Sequence, residues 1–327
     1  MSERSQPAGR LGTPPPTVES DALAQFLRQV RHGVEGGLDP LTAAQHAVGD
    51  LPRAVGVTAE RLLRRLRGEY REDEWGFDED FAEAVYPLFR FLYEVWWRVD
   101  AEGVANVPAH GRALLVANHA GSLFPFDASM VTMALMKEHP LPRWPRPMVL
   151  DWAFELPFIS SFMRRVGGVP ASPHNAGALL EHDELVMVFP EGVKGTGKPF
   201  SDRYRLQRFG RGGFAEVAIR TGAPIVPVAI VGAEEIYPKV ADAPGLARAI
   251  RVPFVPITPT FPLLGPLGLI PLPSKWRIAF GEPIDLSALP PEAADDHATV
   301  FDLSERVRET IQSSLYENLV KRGSAFV

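Results

Sequence analysis

Short apolar runs alternate with stretches of helical periodicity through the middle of this chain. Continuous apolar runs predict buried strands, whereas apolar residues that recur every three or four positions predict helices. The predicted strands cover residues 113–117, 148–150, 185–189, 225–231 and 276–280. The predicted helices cover residues 128–137, 157–166, 175–181 and 213–221. Because strands alternate with helices, the pattern predicts an α/β fold with a mostly parallel central sheet flanked by helices.

The same pattern divides the chain into four parts. Residues 1–20 are polar and rich in proline, which is typical of a disordered tail. Residues 21–76 predict a helical N-terminal extension, and residues 77–290 hold the alternating strands and helices. Residues 291–327 predict an amphipathic helix that packs on this domain and is terminated by Gly323.

Two predicted helices carry unusual surfaces. The helix that follows Thr58 has a basic face, which either faces solvent or contacts anionic lipid head groups. That face consists of Arg61, Arg64, Arg65 and Arg67. The helix over residues 77–99 is rich in aromatic side chains, and Pro87 is expected to kink or restart it. Its Trp and Tyr side chains either pack in the core or lie near a membrane interface.

Composition narrows the functional classes. The 327 residues suffice for one large domain with extensions, and a hydrophobic content of 46% supports a packed core. The absence of cysteine excludes disulfides, a cysteine nucleophile and cysteine-based metal sites, and it suits a cytoplasmic protein. The net charge of -6 argues against a nucleic-acid-binding protein.

The chain has no uninterrupted run of about 18 apolar residues, so no membrane-spanning helix is predicted. Its most apolar stretch, residues 252–273, contains repeated prolines that would break a helix inside lipid. We expect a cytoplasmic protein that lies peripherally at the inner face of the membrane.

A histidine is presented by the loop that follows the first predicted strand. Asn118 and His119 leave the strand, Gly121 and Ser122 continue the loop, and Asp127 stands at the start of the next helix. A histidine beside a carboxylate is the arrangement of a general base and the acid that orients it. Asp127 has an alternative interpretation, because Asp is a favourable N-cap for a helix that begins at the next residue.

A second polar block follows the strand predicted over residues 185–189. It consists of Phe189, Pro190, Glu191 and Gly192, and the later strand contains Val226, Pro227, Val228 and Ala229. In this order, the Asn-His loop, the Phe-Pro-Glu-Gly block and the Val-Pro-Val-Ala strand resemble the glycerolipid acyltransferase family. The resemblance covers roughly residues 80–290.

That resemblance implies an acyltransferase of glycerolipid or phospholipid synthesis. The donor would be acyl-CoA or an acyl carrier protein, acting as co-substrate, and the acceptor would be a glycerolipid hydroxyl. No cofactor, metal or nucleic acid is implied. For such an enzyme, residues 252–273 and the aromatic helix are candidates for an acyl tunnel or a membrane-facing edge. His119 would be the general base and Asp127 its orienting acid. The family places the aspartate five residues after the histidine, whereas here it follows by eight, so the loop must bulge for the pair to meet. Ser122 is the alternative partner.

The resemblance also implies residues that bind substrate. They are Asn118, Gly121 and Ser122 in the loop, then Phe189, Pro190, Glu191 and Gly192, and finally Lys194. The family's second motif usually supplies an arginine after a glycine-containing turn, but residues 167–174 contain none. Arg164 and Arg165, just upstream, are the expected substitutes. The missing arginine favours a neutral acceptor, such as a mono- or diacylglycerol, over lysophosphatidic acid. A non-catalytic lipid-binding protein of the same fold is the other alternative.

Residues 192–198 match the phosphate-binding pattern G-x-x-x-x-G-K, but Pro199 occupies the position of the Ser or Thr that would hold Mg²⁺. Nucleotide binding is therefore not expected. Basic side chains in this region are instead candidates for holding a phosphate of the donor or acceptor. They are Lys194, Lys198, Arg203, Arg205, Arg208 and Arg211.

Overall fold

The computed structural model describes residues 72–326 apart from 121–123, 157–158 and 211, together with residues 32, 36, 37 and 42. The chain divides into two units, Met1–Arg71 and Glu72–Val327. The predicted tail and nearly all of the predicted helical extension, including its basic face, therefore lie outside the described residues. Residues 72–76, which the sequence assigned to the extension, belong to the second unit.

A seven-stranded sheet forms the centre of the second unit. Its strands are β1 (Asp100–Glu102), β2 (Ala113–Ala117), β3 (Arg146–Val149), β4 (Val169–Pro170), β5 (Leu185–Val188), β6 (Ile225–Val231) and β9 (Arg277–Phe280). The strand order is β1-β9-β6-β2-β5-β3-β4. Each neighbouring pair is parallel except β6 and β9. The prediction of a mostly parallel sheet is thus confirmed. Two short strands, β7 (Ala241–Asp242) and β8 (Pro256–Ile257), pair separately.

Helices cover both faces of this sheet. Those before β5 are α1 (Glu79–Phe91), α2 (Phe126–Glu138), α3 (Asp151–Glu155), α4 (Ile159–Arg165) and α5 (Pro173–Glu181). Those after it are α6 (Val193–Thr196), α7 (Gly213–Thr221), α8 (Pro244–Ala249) and α9 (His297–Arg322). Short 3₁₀ segments lie between several of these elements, and α1 continues into a π-helical segment, Leu92–Trp96.

Burial on both faces explains why the central strands read as continuous apolar runs. All residues of β2 and β6 are buried. Because successive side chains of a strand point to opposite faces, β2 contributes to two separate apolar clusters. Leu114 and Val116 join the cluster that includes α5, α7 and α9. Leu115, with Ala113 and Ala117, joins the cluster that includes α2 and the aromatic helix.

Two helices depart from the predicted pattern. The predicted helix over residues 157–166 corresponds to α4, and α3 precedes it as a separate turn. Pro157 accounts for the separation, because a proline disfavours helical conformation in the residue before it, and Leu156 is extended with ψ of 126°. In contrast, α1 passes through Pro87 without ending, so the expected restart does not occur.

The C-terminal helix agrees with its periodicity. Its apolar positions Val300, Leu303, Val307, Ile311 and Leu315 are buried, and α9 packs against β6. The Asp296 side chain caps its N-terminal end by accepting the backbone N–H groups of the next residues.

Candidate active site

The carboxyl ends of β2 and β5 bring the two predicted motifs together. These strands are parallel neighbours, with Val116 opposite Val188, so the residues that follow them meet at one edge of the sheet. Asn118 is fully buried and uses its amide to extend the pairing with β6. It donates to the Ile230 carbonyl at 3.0 Å and accepts from the Ile230 N–H at 2.7 Å. Asn118 thereby fixes the point at which the histidine leaves the sheet.

His119 and Asp127 form a hydrogen-bonded pair. The distance from His119 Nδ1 to Asp127 Oδ2 is 2.6 Å, and the aspartate is fully buried while the histidine side chain is 18% exposed. The same carboxylate oxygen accepts the Ala120 N–H at 2.9 Å. The eight-residue spacing therefore does not separate the pair. Gly121 and Ser122, which complete the loop, lie outside the described residues.

The N-cap interpretation of Asp127 is wrong. Helix α2 begins one residue earlier, at Phe126, and Pro125 occupies the N-cap position without a side-chain hydrogen bond. Asp127 is thus the second residue of the helix. Its Oδ1 accepts the Ala128 N–H at 2.8 Å, which leaves Oδ2 directed to the histidine loop.

Glu191 supports the main chain of the histidine. One carboxylate oxygen accepts the His119 N–H at 2.9 Å, and the other accepts the Gln207 N–H at 2.6 Å. The residue is only 4% exposed. Its carboxylate therefore ties together the end of β2 and the loop before α7. The adjacent Phe189 stacks on the imidazole ring, with ring centroids 4.5 Å apart and an interplanar angle of 27°.

A large apolar cavity of about 540 Å³ opens beside the histidine ring. Its lining comes from α2 to α5, α7 and the loop after β5, and it includes Phe124, Trp152, Met163, Ala176, Phe209 and Val217. Pro190 and Gly192 also line it. Among the described lining residues, His119 has the only titratable side chain. The site thus combines one hydrogen-bonded imidazole with a cavity suited to an apolar ligand.

A family model described as Acyltransferase matches residues 98–231, a span that contains His119, Asp127 and Glu191. The chain belongs to the acyltransferase family. An uncharacterized protein of Mycobacterium tuberculosis is 46% identical over 326 residues, which cover 99% of this chain and 91% of the relative. An uncharacterized protein of Mycobacterium leprae is 50% identical over 313 residues, covering 94% and 85%. The family model confirms the resemblance at the level of the acyltransferase family.

More distant proteins are also similar to this acyltransferase. A human protein described as a DGAT1/2-independent enzyme synthesizing storage lipids is 22% identical over 251 residues, covering 76% of this chain and 69% of that protein. The crystal structure of the 1-acyl-sn-glycerophosphate acyltransferase PlsC from Thermotoga maritima matches with a TM-score of 0.48 and 20% identity. That match covers 73% of this chain and 80% of the other.

Lys198 of the acyltransferase lies buried between two carboxylates. Its Nζ is 2.8 Å from Glu234 Oε1 and 3.3 Å from Glu191 Oε2, and it donates to the Arg205 carbonyl at 3.2 Å. Burial lowers the pKa of Lys198, but the adjacent carboxylates outweigh it and raise the pKa above its ordinary value. Burial also raises the pKa of Glu234, more than Lys198 lowers it.

This arrangement explains the misleading G-x-x-x-x-G-K pattern. The lysine at its end is engaged inside the protein with carboxylates, where a phosphate-binding loop would direct it to a phosphate. Glu234, its strongest partner, was not predicted as a functional residue. It lies 36 residues downstream, and no local pattern marks it.

Among the described residues, none of the other predicted basic side chains lines the cavity. Lys194 is exposed on α6. Arg164 is exposed with its guanidinium 4.9 Å from the Phe154 ring. Arg165 bonds to the Asp78 carboxylate, with Nη2 to Oδ2 at 2.8 Å. Of residues 252–273, which were candidates for an acyl tunnel, Val252 alone is among the described lining residues.

In the part of the chain that the structure describes, no group of three or more His, Cys, Asp or Glu side chains is arranged to hold a metal ion. Within the same residues, no helix has the length and apolar character needed to cross a membrane.

Proposed function

We propose that this acyltransferase moves a fatty acyl group from a thioester, acyl-CoA or acyl carrier protein, to the hydroxyl of a neutral glycerolipid. The observation that carries the proposal is the His119–Asp127 pair at 2.6 Å, placed beside an apolar cavity of about 540 Å³. The alternative of a non-catalytic protein assumed that the eight-residue spacing separates His119 from Asp127. The hydrogen bond between their side chains contradicts that assumption.

The pair supports general-base catalysis. A carboxylate at Nδ1 favours the tautomer in which that nitrogen carries the proton, so the lone pair of Nε2 can accept a proton from the acceptor hydroxyl. The hydroxyl oxygen then bonds to the thioester carbonyl carbon. When the carbon–sulfur bond breaks, the imidazolium returns the proton to the thiolate, and an ester and a free thiol result. General-base catalysis of this kind typically increases the reaction rate by about 10²- to 10⁴-fold.

Glu191 has a positioning role in this proposal instead of the acceptor-binding role that the resemblance implied. Both of its oxygens are already occupied by the N–H groups of His119 and Gln207. Asn118 has a comparable role through Ile230. Gly192, whose φ is 54° and whose Cβ position meets no atom within 4 Å, lines the cavity and leaves room for substrate.

A neutral acceptor is supported by the charge of the cavity lining. A phosphate in this cavity would be drawn to arginine or lysine, yet the described lining residues include neither. Arg164 and Arg165 interact with other parts of the fold. The distant relative whose name refers to storage-lipid synthesis is in keeping with a neutral acceptor.

The purified full chain would be assayed with labelled palmitoyl-CoA and three separate acceptors: a monoacylglycerol, a diacylglycerol and lysophosphatidic acid. We expect ester formation with a neutral acceptor and loss of that activity in His119→Ala. His110→Ala, at an exposed histidine away from the cavity, is the matched control and should keep wild-type activity. Acylation of lysophosphatidic acid alone would contradict the neutral-acceptor assignment.

A further inference from the structure

Eight consecutive residues, 263–270, carry no polar side chain and display large apolar groups on the surface. We call them the apolar loop. Leu263 is 82% exposed, Leu267 is 68% exposed, Leu264 and Ile270 are each 54% exposed, and Leu269 is 45% exposed. The longer segment from residue 252 to residue 274 contains no charged residue. Contiguous exposed apolar groups of this kind mark an interaction surface.

Several backbone groups of the apolar loop are hydrogen-bonded within the protein. The Leu264 N–H donates to the Thr260 carbonyl at 2.8 Å, and the Ile270 N–H donates to the Leu267 carbonyl at 3.2 Å. The Tyr237 hydroxyl donates to the Leu269 carbonyl at 2.6 Å. An unsatisfied backbone group is costly in lipid, and these hydrogen bonds lower the number of such groups that the loop would carry to a lipid surface.

The outward direction of the leucines is built into the fold. Two indole N–H groups hold the base of the loop: Trp96 donates to the Pro271 carbonyl at 3.0 Å, and Trp97 donates to the Leu272 carbonyl at 3.1 Å. At Gly268, a Cβ atom would lie 2.4 Å from the Thr260 carbonyl oxygen, so the loop is closely packed against its own base. The apolar side chains are therefore held outward.

Two features favour a lipid surface over a second copy of the chain. The five exposed side chains of the loop present on the order of 500 Å² of apolar area, less than the roughly 800 Å² per partner of a stable protein interface. Such interfaces also carry about one hydrogen bond per 100–200 Å². The side chains of the apolar loop have no group with which to make one.

We propose that the apolar loop inserts into the lipid surface and docks the acyltransferase there. The inference rests on the proposed function in one respect, because an acceptor dissolved in lipid requires the enzyme to reach that surface. Since the loop is uncharged, its contribution comes from apolar burial and does not depend on anionic head groups.

The test is co-sedimentation of the full chain with vesicles of pure phosphatidylcholine, at low and at high salt. The docking variant replaces three exposed residues of the loop: Leu263→Ser, Leu267→Ser and Ile270→Ser. A matched control replaces three similarly exposed residues elsewhere: Val240→Ser, Phe301→Ser and Val320→Ser, at 65%, 53% and 83% exposure. We expect at least a tenfold loss of apparent partitioning in the docking variant, and a change of less than twofold in the control.

Wild-type binding to neutral vesicles that persists at high salt supports the proposal. Unchanged binding of the docking variant overturns it, as does wild-type binding that requires anionic lipid and disappears in salt. Sedimentation velocity without lipid adds a further outcome: a wild-type dimer that the docking variant abolishes would make the loop a protein interface. His119→Ala should bind vesicles like wild type, so a failure of the proposed chemistry is distinguishable from a failure of docking.

Discussion

The buried lysine between Glu191 and Glu234 offers a quantitative test of how the active-site loop is held. In Lys198→Met, a side chain of similar length loses its charge while two carboxylates remain buried. Without the lysine, Glu234 keeps one backbone donor, the Tyr204 N–H at 2.6 Å. Glu191 keeps the His119 and Gln207 N–H groups.

Removing one partner of a buried ion pair destabilises a protein by about 3–5 kcal/mol. Because both carboxylates retain backbone donors, we expect the lower end of that range, about 3 kcal/mol. For a unit of this size, that corresponds to a fall in Tm of about 6–12 °C. Movement of the His119 main chain adds a loss of transfer rate of up to about 10²-fold.

Urea unfolding and initial rates of acyl transfer measure the two effects. Lys194→Met is the matched control: the same replacement, on an exposed lysine of the neighbouring helix, should change the free energy of unfolding by less than about 0.5 kcal/mol. In the double variant Lys198→Met with Glu234→Gln, the loss should be smaller than the sum of the single losses, because one of the unpaired charges is also removed. If Lys198→Met unfolds with the same free energy as Lys194→Met, the reasoning about the buried cluster is refuted.

Three further predictions follow from the same structure. Gly195→Ala would place a methyl group 2.9 Å from His119 Cβ, so we expect urea unfolding to show a loss of about 1–3 kcal/mol in the free energy of unfolding, together with a lower kcat. The control Gly177→Ala, at a helical position with open space, should raise the free energy of unfolding by about 0.5–1 kcal/mol. Equal effects of the two substitutions would contradict the close packing around Gly195. Val217→Phe narrows the cavity and should raise KM for a long-chain thioester more than for a short-chain one; a uniform change would place the acyl chain elsewhere. Because the pKa of Lys198 is raised above 10.5, its stabilising contribution is complete below pH 10.5 and is lost as the pH rises through the folded-state value. Stability measured across this range should therefore fall less steeply in Lys198→Met than in wild type, and parallel curves would contradict the assignment.

Hydrophobic pattern predicts the buried centre of this fold and fails at its margins. β2, β6 and α7 lie where the pattern placed them, because complete burial leaves a continuous or periodic apolar signal. β1 and β4 have only three and two residues, which is too short for a pattern to mark. The antiparallel direction of β9 depends on the path of the chain after β6, and no local pattern records it.

The site shows the same division. The pairing of His119 with Asp127 was predictable because the histidine follows a recognisable strand and the aspartate lies at the start of a recognisable helix. The role of Glu191 toward the main chain was not, since its partners Lys198 and Glu234 meet it only through tertiary packing. The position of the cavity was also not predicted. The apolar composition of residues 252–273 suggested an acyl tunnel there, but α4, α5 and α7 supply much of the cavity lining.

The central claim is that His119 and Asp127 act as one unit in acyl transfer. It is tested most directly by the transfer rates of His119→Ala, Asp127→Asn and the double variant, each verified as folded. Residues that act together show non-additive losses. We predict that His119→Ala lowers the rate by about 10²- to 10⁴-fold and that the double variant is no slower. Near-wild-type transfer by His119→Ala, or a double variant whose loss is the product of the two single losses, would contradict the account.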